Sequence, residues 1–158
     1  MKLSANEEYG LRCLVRIGYA GEGGSLTIPE MSAAEGVSPA YAAKILRVLR
    51  KAGFVKAARG KDGGYTLARP AENIVISDVM DVLGGRIFES SFCDSHAGQA
   101  AICTRSVDCS VRSLWRAVQV AVDQVLSKAT LRDLLQNEEE MNSWVRTIPS
   151  AKGLHSIQ

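Results

Sequence analysis

The first half of the chain alternates short apolar patterns of helical spacing with turn residues. Ser4 followed by Glu7 is the capping-box pattern, and it predicts a first helix that starts just after Ser4 and stops near Gly21. Thr27 and Glu30 repeat the pattern and predict a second helix of about two turns. Both helices therefore begin at sites where side chains satisfy the free backbone N–H groups.

A third helix is expected after a tight turn. Gly36 supplies the left-handed residue that ends the second helix, and Ser38 followed by Pro39 is an N-cap with proline at the first helical position. The apolar face of the third helix consists of Ala42, Ile45, Leu46 and Leu49. Two short helices joined by a glycine-containing turn predict a helix-turn-helix, whose second member is the recognition helix.

A hairpin is predicted next. Residues 54–57 and 65–67 have the composition of two short strands, and the glycine-rich residues 59–64 lie between them. This hairpin would form the wing of a winged helix-turn-helix domain over residues 1–70. A connecting helix and linker are expected over residues 71–92.

A long amphipathic helix is predicted from about residue 110. Its apolar positions follow i, i+3, i+4, i+7 spacing at Val111, Leu114, Trp115, Val118, Val122, Val125 and Leu126. Such a stripe suits packing against a second copy in a twofold homodimer, which in turn suits a palindromic operator. We therefore expect a dimerisation helix and a last helical piece over 110–140, and a flexible tail over 141–158. The expected fold class is mainly α with a small β-wing: a winged helix-turn-helix domain plus a long dimerisation helix.

Charge is distributed unevenly along the 158 residues, whose net charge is +2. Residues 1–65 carry ten Lys or Arg against six Asp or Glu, whereas residues 66–158 carry nine against eleven. The basic half is where a phosphate backbone would bind. No apolar run approaches the roughly 20 residues that span a bilayer, so a cytoplasmic protein without a membrane partner is expected.

Basic residues are concentrated around the predicted recognition helix and wing. Seven lie between residues 44 and 61, with no acidic residue among them. The candidate contacts to double-stranded DNA lie at the start of the recognition helix, opposite its apolar face and in the wing, where arginine could enter a narrow minor groove. They are Ser38, Tyr41, Lys44, Arg47, Arg59 and Lys61. Arg50, Lys51 and Lys56 fit phosphate contacts or plain solvation equally well.

Three cysteines lie in the aperiodic stretch 93–109. Cys93, Cys103 and Cys109 are separated by nine and five residues. Thiolates are soft ligands, so the trio could bind an iron-sulfur cluster. Two of the thiols could instead form a disulfide under oxidant, or zinc could join the three cysteines and His96 in a structural interaction module. Cys13, on the first helix, is expected to be buried and inert. No phosphate loop, nucleophile elbow or paired carboxylates indicate an enzyme.

Residues 1–137 resemble the bacterial winged-helix repressors that include the iron-sulfur cluster regulator, the nitric-oxide-sensing repressor and iron-responsive relatives. The landmarks are Met-Lys-Leu-Ser at residues 1–4, Ser-Pro-Ala-Tyr-Ala-Ala-Lys-Ile-Leu at 38–46, Arg-Gly-Lys-Asp-Gly-Gly-Tyr at 59–65 and Cys-Ser-Val-Arg-Ser-Leu-Trp-Arg at 109–116. The resemblance implies a dimeric cytosolic repressor or dual regulator, whose DNA affinity responds to a cluster of the 2Fe-2S or 4Fe-4S type held by the three cysteines.

The resemblance also bears on a fourth cluster ligand. Some members use histidine three residues after the third cysteine, but this chain has Arg112 there, and a guanidinium has no lone pair for iron. Other members use an acidic residue early in the first helix, supplied across the dimer, and Glu8 matches that position. Two alternatives remain open: Glu8 forms an ordinary i, i+4 pair with Arg12, or His96 is the ligand instead.

Overall fold

The computed structural model describes residues 3–21, 23–58, 63–89, 92–95, 103 and 108–148. Within these residues the fold is mainly helical with one small sheet. The helices are α1 (Ala5–Tyr19), α2 (Ile28–Glu35), α3 (Pro39–Lys51), α4 (Ile76–Leu83), α5 (Phe92–Ser95), α6 (Ser110–Leu126), α7 (Leu131–Leu134) and α8 (Glu138–Thr147), and the strands are β1 (Val55–Ala57) and β2 (Tyr65–Leu67). The predicted fold class is confirmed.

Both predicted capping boxes form. The Ser4 hydroxyl accepts the Glu7 N–H at 3.3 Å, while the Glu7 carboxylate accepts the Ser4 N–H at 2.7 Å. Thr27 and Glu30 make the same reciprocal pair at the start of α2. These side chains satisfy N–H groups that have no partner inside the helix, which explains why α1 and α2 begin where the sequence predicts.

The helix-turn-helix forms from α2 and α3 as predicted. Gly36 has φ +67°, in the left-handed region where a residue without Cβ is favoured, and it ends α2. The Ser38 hydroxyl accepts the Tyr41 N–H at 3.2 Å and starts α3. The four predicted apolar residues of α3 are completely buried: Ala42, Ile45, Leu46 and Leu49.

The wing strands pair antiparallel, with Val55 opposite Leu67 and Ala57 opposite Tyr65. Tyr65 also pairs with Leu26 through two backbone hydrogen bonds, of 2.8 and 3.0 Å, so the segment before α2 extends the sheet. Residues 59–62, between the strands, lie outside the described residues.

Helix α1 lies at the centre of the core and contacts α2, α3, α4 and α7. A glycine allows its close approach to α4. A Cβ at Gly10 would come within 2.4 Å of the Leu83 side chain, so a larger residue there would displace that side chain from its place in the core. The α1–α4 contact joins the helix-turn-helix to the part of the chain that leads toward the cysteines.

Helix α6 forms as predicted, but the first part of its apolar stripe, at Val111, Leu114 and Trp115, is left exposed by the residues that the structure describes. Leu114 is 59% exposed and Trp115 is 37% exposed. Gln119 is the only residue of α6, all of which the structure describes, that is buried. None of the described helices combines the length and apolar character needed to cross a membrane.

The expected flexible tail is wrong for residues 141–148. Helix α8 covers Glu138–Thr147 and starts at another capping box, in which the Asn137 side chain accepts the Glu140 N–H at 2.9 Å. Trp144 packs against the core and Ile148 is 2% exposed. Burial of these two apolar side chains holds the helix in place. Residues 149–158 lie outside the described residues.

Candidate functional site

The exposed surface of α3 is basic. Lys44 and Arg47 are exposed, and their i, i+3 spacing places them on one side of the helix, away from the buried apolar face. Neither side chain forms an ion pair with any residue that the structure describes. Two cations on a helix surface, without acidic partners in the described chain, are suited to contact a nucleic-acid backbone or groove.

The start of α3 presents two further predicted contacts in different surroundings. Ser38 is exposed, and its hydroxyl, which caps α3 as an acceptor, still has a proton to donate. Tyr41 is half-buried, and its ring meets the Tyr9 ring edge-on with centroids 6.1 Å apart. The sequence indicated a groove contact for Tyr41, whereas the structure also gives it a packing role between α1 and α3. Arg59 and Lys61 of the wing lie outside the described residues.

A buried carboxylate that the sequence did not reveal joins α2 to α1. Glu35 is 6% exposed, and its oxygens accept hydrogen bonds from Arg12 Nε at 2.8 Å and Arg16 Nε at 2.9 Å. Burial tends to raise the pKa of Glu35, but the hydrogen bonds and charges of Arg16 and Arg12 together lower it below its ordinary value. The sequence signal that could have indicated this site is the pair of arginines, Arg12 and Arg16, one turn apart on α1.

Cys13 is confirmed as a buried thiol. It has no exposed surface, and burial is the main reason that its pKa rises to about 11, with the negative charge of Glu35 adding to the effect. A thiol with such a pKa stays protonated near neutrality and is a poor nucleophile and metal ligand. Its role is to fill space in the core.

The other three cysteines are free thiols and half-buried. Cys109 is the N-cap of α6, where its sulfur accepts the Arg112 N–H at 3.4 Å. Cys93 lies in the one-turn helix α5, not in an irregular loop as the sequence indicated, and Cys103 itself belongs to neither a helix nor a strand.

The described residues do not bring the predicted ligands together. No group of three His, Cys, Asp or Glu side chains among them surrounds a common point that could hold a metal. His96 lies outside the described residues. Glu8 is exposed on α1, and the alternative ion pair with Arg12 is not formed, because Arg12 binds Glu35 instead. As a donor set, three free thiols, one of them at a helix N-terminus, suit an iron-sulfur cluster in charge and softness.

The helix-turn-helix, the two-stranded wing and the basic surface of α3 together define a winged-helix transcription regulator. The family model for Rrf2, described as an iron-dependent transcriptional regulator, matches residues 3–137, and the chain belongs to this family. Its members are transcriptional regulators and not enzymes.

Two curated relatives extend over most of the chain. The protein rrf2 of Nitratidesulfovibrio vulgaris is 34% identical over 137 residues, which is 87% of this chain and 89% of the relative. The regulator IscR of Cereibacter sphaeroides is 32% identical over 143 residues, with 87% of this chain and 89% of that protein covered. The matching region includes the helix-turn-helix, the wing and the cysteine stretch.

Solved structures agree with this assignment. CymR, the global cysteine regulator of B. subtilis, superposes with a TM-score of 0.64 at 26% identity, covering 85% of this chain and 96% of that one. The IscR of T. potens gives a TM-score of 0.65 at 27% identity, covering 100% of this chain and 93% of that one. The family thus includes structural relatives named for cysteine regulation as well as relatives named IscR.

Proposed function

We propose that the protein represses transcription by binding a palindromic double-stranded operator as a homodimer. The observation that carries the DNA contact is the exposed basic surface of α3, with Ser38 at its N-terminus and Lys44 and Arg47 beside it. The exposed first part of the α6 stripe supports the homodimer, because a second copy would bury Leu114 and Trp115. Two α3 helices would then face neighbouring major grooves.

We further propose that Cys93, Cys103 and Cys109 bind an iron-sulfur cluster, with Glu8 from the second copy as the fourth ligand. Free thiols, the helix N-terminus at Cys109 and an exposed Glu8 that makes no ion pair in the described chain support this assignment. The iron-dependent character of the Rrf2 family and the IscR relatives point the same way. When bound, the cluster supplies a redox-active centre that can be lost or attacked. A change in how Cys93, Cys103 and Cys109 are held would then shift the population of conformers and with it the operator affinity.

Thiol chemistry is the second candidate for the signal. CymR is among the structural relatives, and one of the solved structures is Staphylococcus aureus CymR in an oxidized form, with a TM-score of 0.65 at 26% identity. Half-buried free cysteines in this chain also suit reversible disulfide formation. In that case two of the three thiols would pair under oxidant and no iron would be bound.

The cysteine assignment is tested by the visible spectrum and the iron, sulfide and zinc content of protein purified without oxygen. We expect colour and iron in the wild type, loss of both in Cys103→Ala, and no change in Cys13→Ala, the matched control. Colourless protein that forms a disulfide with oxidant supports thiol sensing instead. Zinc without visible absorption would show a structural zinc site.

The DNA assignment is tested by selecting bound sequences from random duplexes with the full chain and then measuring affinities against salt. Lys44→Ala and Arg47→Ala should each weaken operator binding by about 1–3 kcal/mol if they contact bases, or reduce the salt slope by about one if they contact phosphate. Lys128→Ala, an exposed change outside α3, is the control. Unchanged affinity in both α3 variants would contradict the proposed interface.

A further inference from the structure

A buried side-chain amide of α6 bonds to the backbone of the segment that leads to Cys93. The Gln119 side-chain oxygen accepts the backbone N–H of Phe88 at 3.0 Å, and its nitrogen donates to Asp123 at 2.8 Å. Gln119 is 7% exposed. A buried amide is tolerated when both of its ends are bonded, and losing either bond leaves an unsatisfied polar group. The geometry around Phe88 is therefore fixed by a side chain of α6.

An arginine connects the same part of α6 to the DNA-binding half of the molecule. The guanidinium of Arg86 pairs with Asp123 of α6 and, at 3.3 Å, with Asp81 of α4. The hydrogen bond to Asp123, with the negative charges of both aspartates, raises the pKa of Arg86, so the bridge keeps its charge. We call Asp81, Arg86, Gln119 and Asp123 the α4–α6 clamp.

Ring contacts extend the clamp to the first cysteine. The Phe88 ring packs against the Phe92 ring with centroids 5.2 Å apart, and Arg116 of α6 lies over Phe88 at 6.0 Å. Phe92 directly precedes Cys93 in α5. At its other end α6 begins at its N-cap, Cys109. Cys93 and Cys109 are thus both attached to one helix, by an aromatic pair and by a cap.

We propose that Gln119 is a positioning residue that sets Cys93 relative to Cys109 and links both to α4. This inference rests on the proposed function of the cysteine site and names the route by which that site acts on the winged helix. A change at the cysteines moves the Phe88 segment or the start of α6, and Arg86 passes the displacement to α4. Helix α4 lies against α1 at Gly10, so the helix-turn-helix responds.

The first arm of the test uses cluster-free protein and needs no cofactor. In Gln119→Met the side chain keeps its size and loses both hydrogen bonds. Alkylation of each thiol is followed by mass spectrometry on the full chain, with Gln124→Met as the control, since Gln124 is exposed on another side of α6. We expect Cys93 to react several-fold faster in Gln119→Met only, with Cys109 and buried Cys13 unchanged. An unchanged Cys93 rate would overturn the proposal.

A second variant covers the case in which Gln119→Met does not fold, which fast labelling of Cys13 would reveal. Phe88→Leu keeps the backbone bond to Gln119 and removes the ring that packs on Phe92. Phe88 is only half-buried, so this variant should fold. It too should raise the Cys93 rate, and a wild-type rate in a folded Phe88→Leu would overturn the aromatic link.

The second arm uses cluster-loaded protein and separates this proposal from the proposed function. Gln119→Met should shorten the lifetime of the cluster in air and bring the ratio of operator affinities with and without cluster toward one. The affinity of cluster-free protein should stay within about twofold, a free-energy change below ~0.5 kcal/mol. If no variant takes up iron but Cys93 still reacts faster in Gln119→Met, the cluster assignment fails while the positioning of Cys93 stands.

Discussion

Helices α3 and α6 are both amphipathic, yet their apolar faces lie in opposite surroundings. The buried face of α3, formed by Ala42, Ile45, Leu46 and Leu49, has no exposed surface, whereas Val111 and Leu114 of α6 are more than half exposed. Helix α3 is held by its own core and uses its polar face for function. Helix α6 is held to its own chain by polar groups around Gln119 and by Leu126 at its end, while the apolar residues of its first two turns stay exposed. Amphipathic spacing therefore predicts a helix but not what covers it.

The largest expected effect is on the free energy of unfolding, and it distinguishes the apolar face of α3 from that of α6. Leu46→Ala should lower the free energy of unfolding by about 2–5 kcal/mol at every protein concentration, because it opens a cavity in a fully buried site. Leu114→Ala should lower the urea midpoint only at concentrations where copies associate. Urea unfolding over a range of protein concentrations checks both. A concentration-independent loss of several kcal/mol in Leu114→Ala would show that α6 is covered within one chain.

The next effect tests what covers α6. Trp115→Ala should weaken homodimerisation by about 2 kcal/mol or more, roughly a 30-fold rise in the dissociation constant, if the tryptophan is central to the interface. Sedimentation velocity over a dilution series measures this directly. Gln124→Ala, on the opposite side of α6, is the matched control. An unchanged dissociation constant in Trp115→Ala would show that the apolar stripe of α6 is not part of the dimer interface.

A third prediction contrasts the two buried polar side chains, Glu35 in the helix-turn-helix and Gln119 on α6. Glu35→Gln should cost about 1–3 kcal/mol near neutral pH. The pKa of Glu35 is lowered in the folded state, so its contribution is complete above the ordinary carboxyl pKa of about 4.3 and is lost as pH falls through the lower native value. Wild type and variant should therefore converge in urea unfolding at acid pH.

The contrasting variant supplies the control for that convergence. Gln119→Met removes a neutral side chain, so we expect no comparable convergence with wild type on acidification. Unfolding of both variants from pH 7 to pH 3 makes the comparison. A loss in Glu35→Gln that stays constant over the whole range would show that the Arg12 and Arg16 pairs do not stabilise the fold.

The smallest effect concerns reactivity. Because burial raises the pKa of Cys13 to about 11, only about one thiol in a thousand is ionised at pH 8. Native alkylation of Cys13 should therefore be far slower than that of Cys103 or Cys109, and in urea the rates should become similar. Mass spectrometry after timed labelling gives each rate. Equal native rates would contradict the buried position of Cys13.

Local signals were sufficient for most of the DNA-binding half. Ser4, Thr27 and Ser38 identify helix starts, and Gly36 marks the turn, because capping and left-handed backbone depend on neighbours within three or four residues. The same capping-box signal is present at Asn137 and Glu140, where α8 begins, although a flexible tail was predicted from residue 141.

The interactions that sequence could not show join residues far apart in the chain. Glu35 finds its partners 19 and 23 residues earlier, and Gln119 bonds a backbone N–H 31 residues away. A buried carboxylate and a buried amide look like surface residues until the fold supplies the partner. The cysteines follow the same rule. Their residue type predicts soft-ligand chemistry, but which groups join them depends on residues that are distant in sequence.

Helix α8 has a practical consequence for anyone shortening this chain. The family match ends at residue 137, whereas buried side chains continue to Ile148, eleven residues further along the chain. A truncation at residue 137, where the family match ends, would remove Trp144 and expose to water the apolar core surface that this side chain covers. A truncation, tag or fusion at the C-terminal end is therefore best placed after residue 148, because the packed part of the chain extends that far.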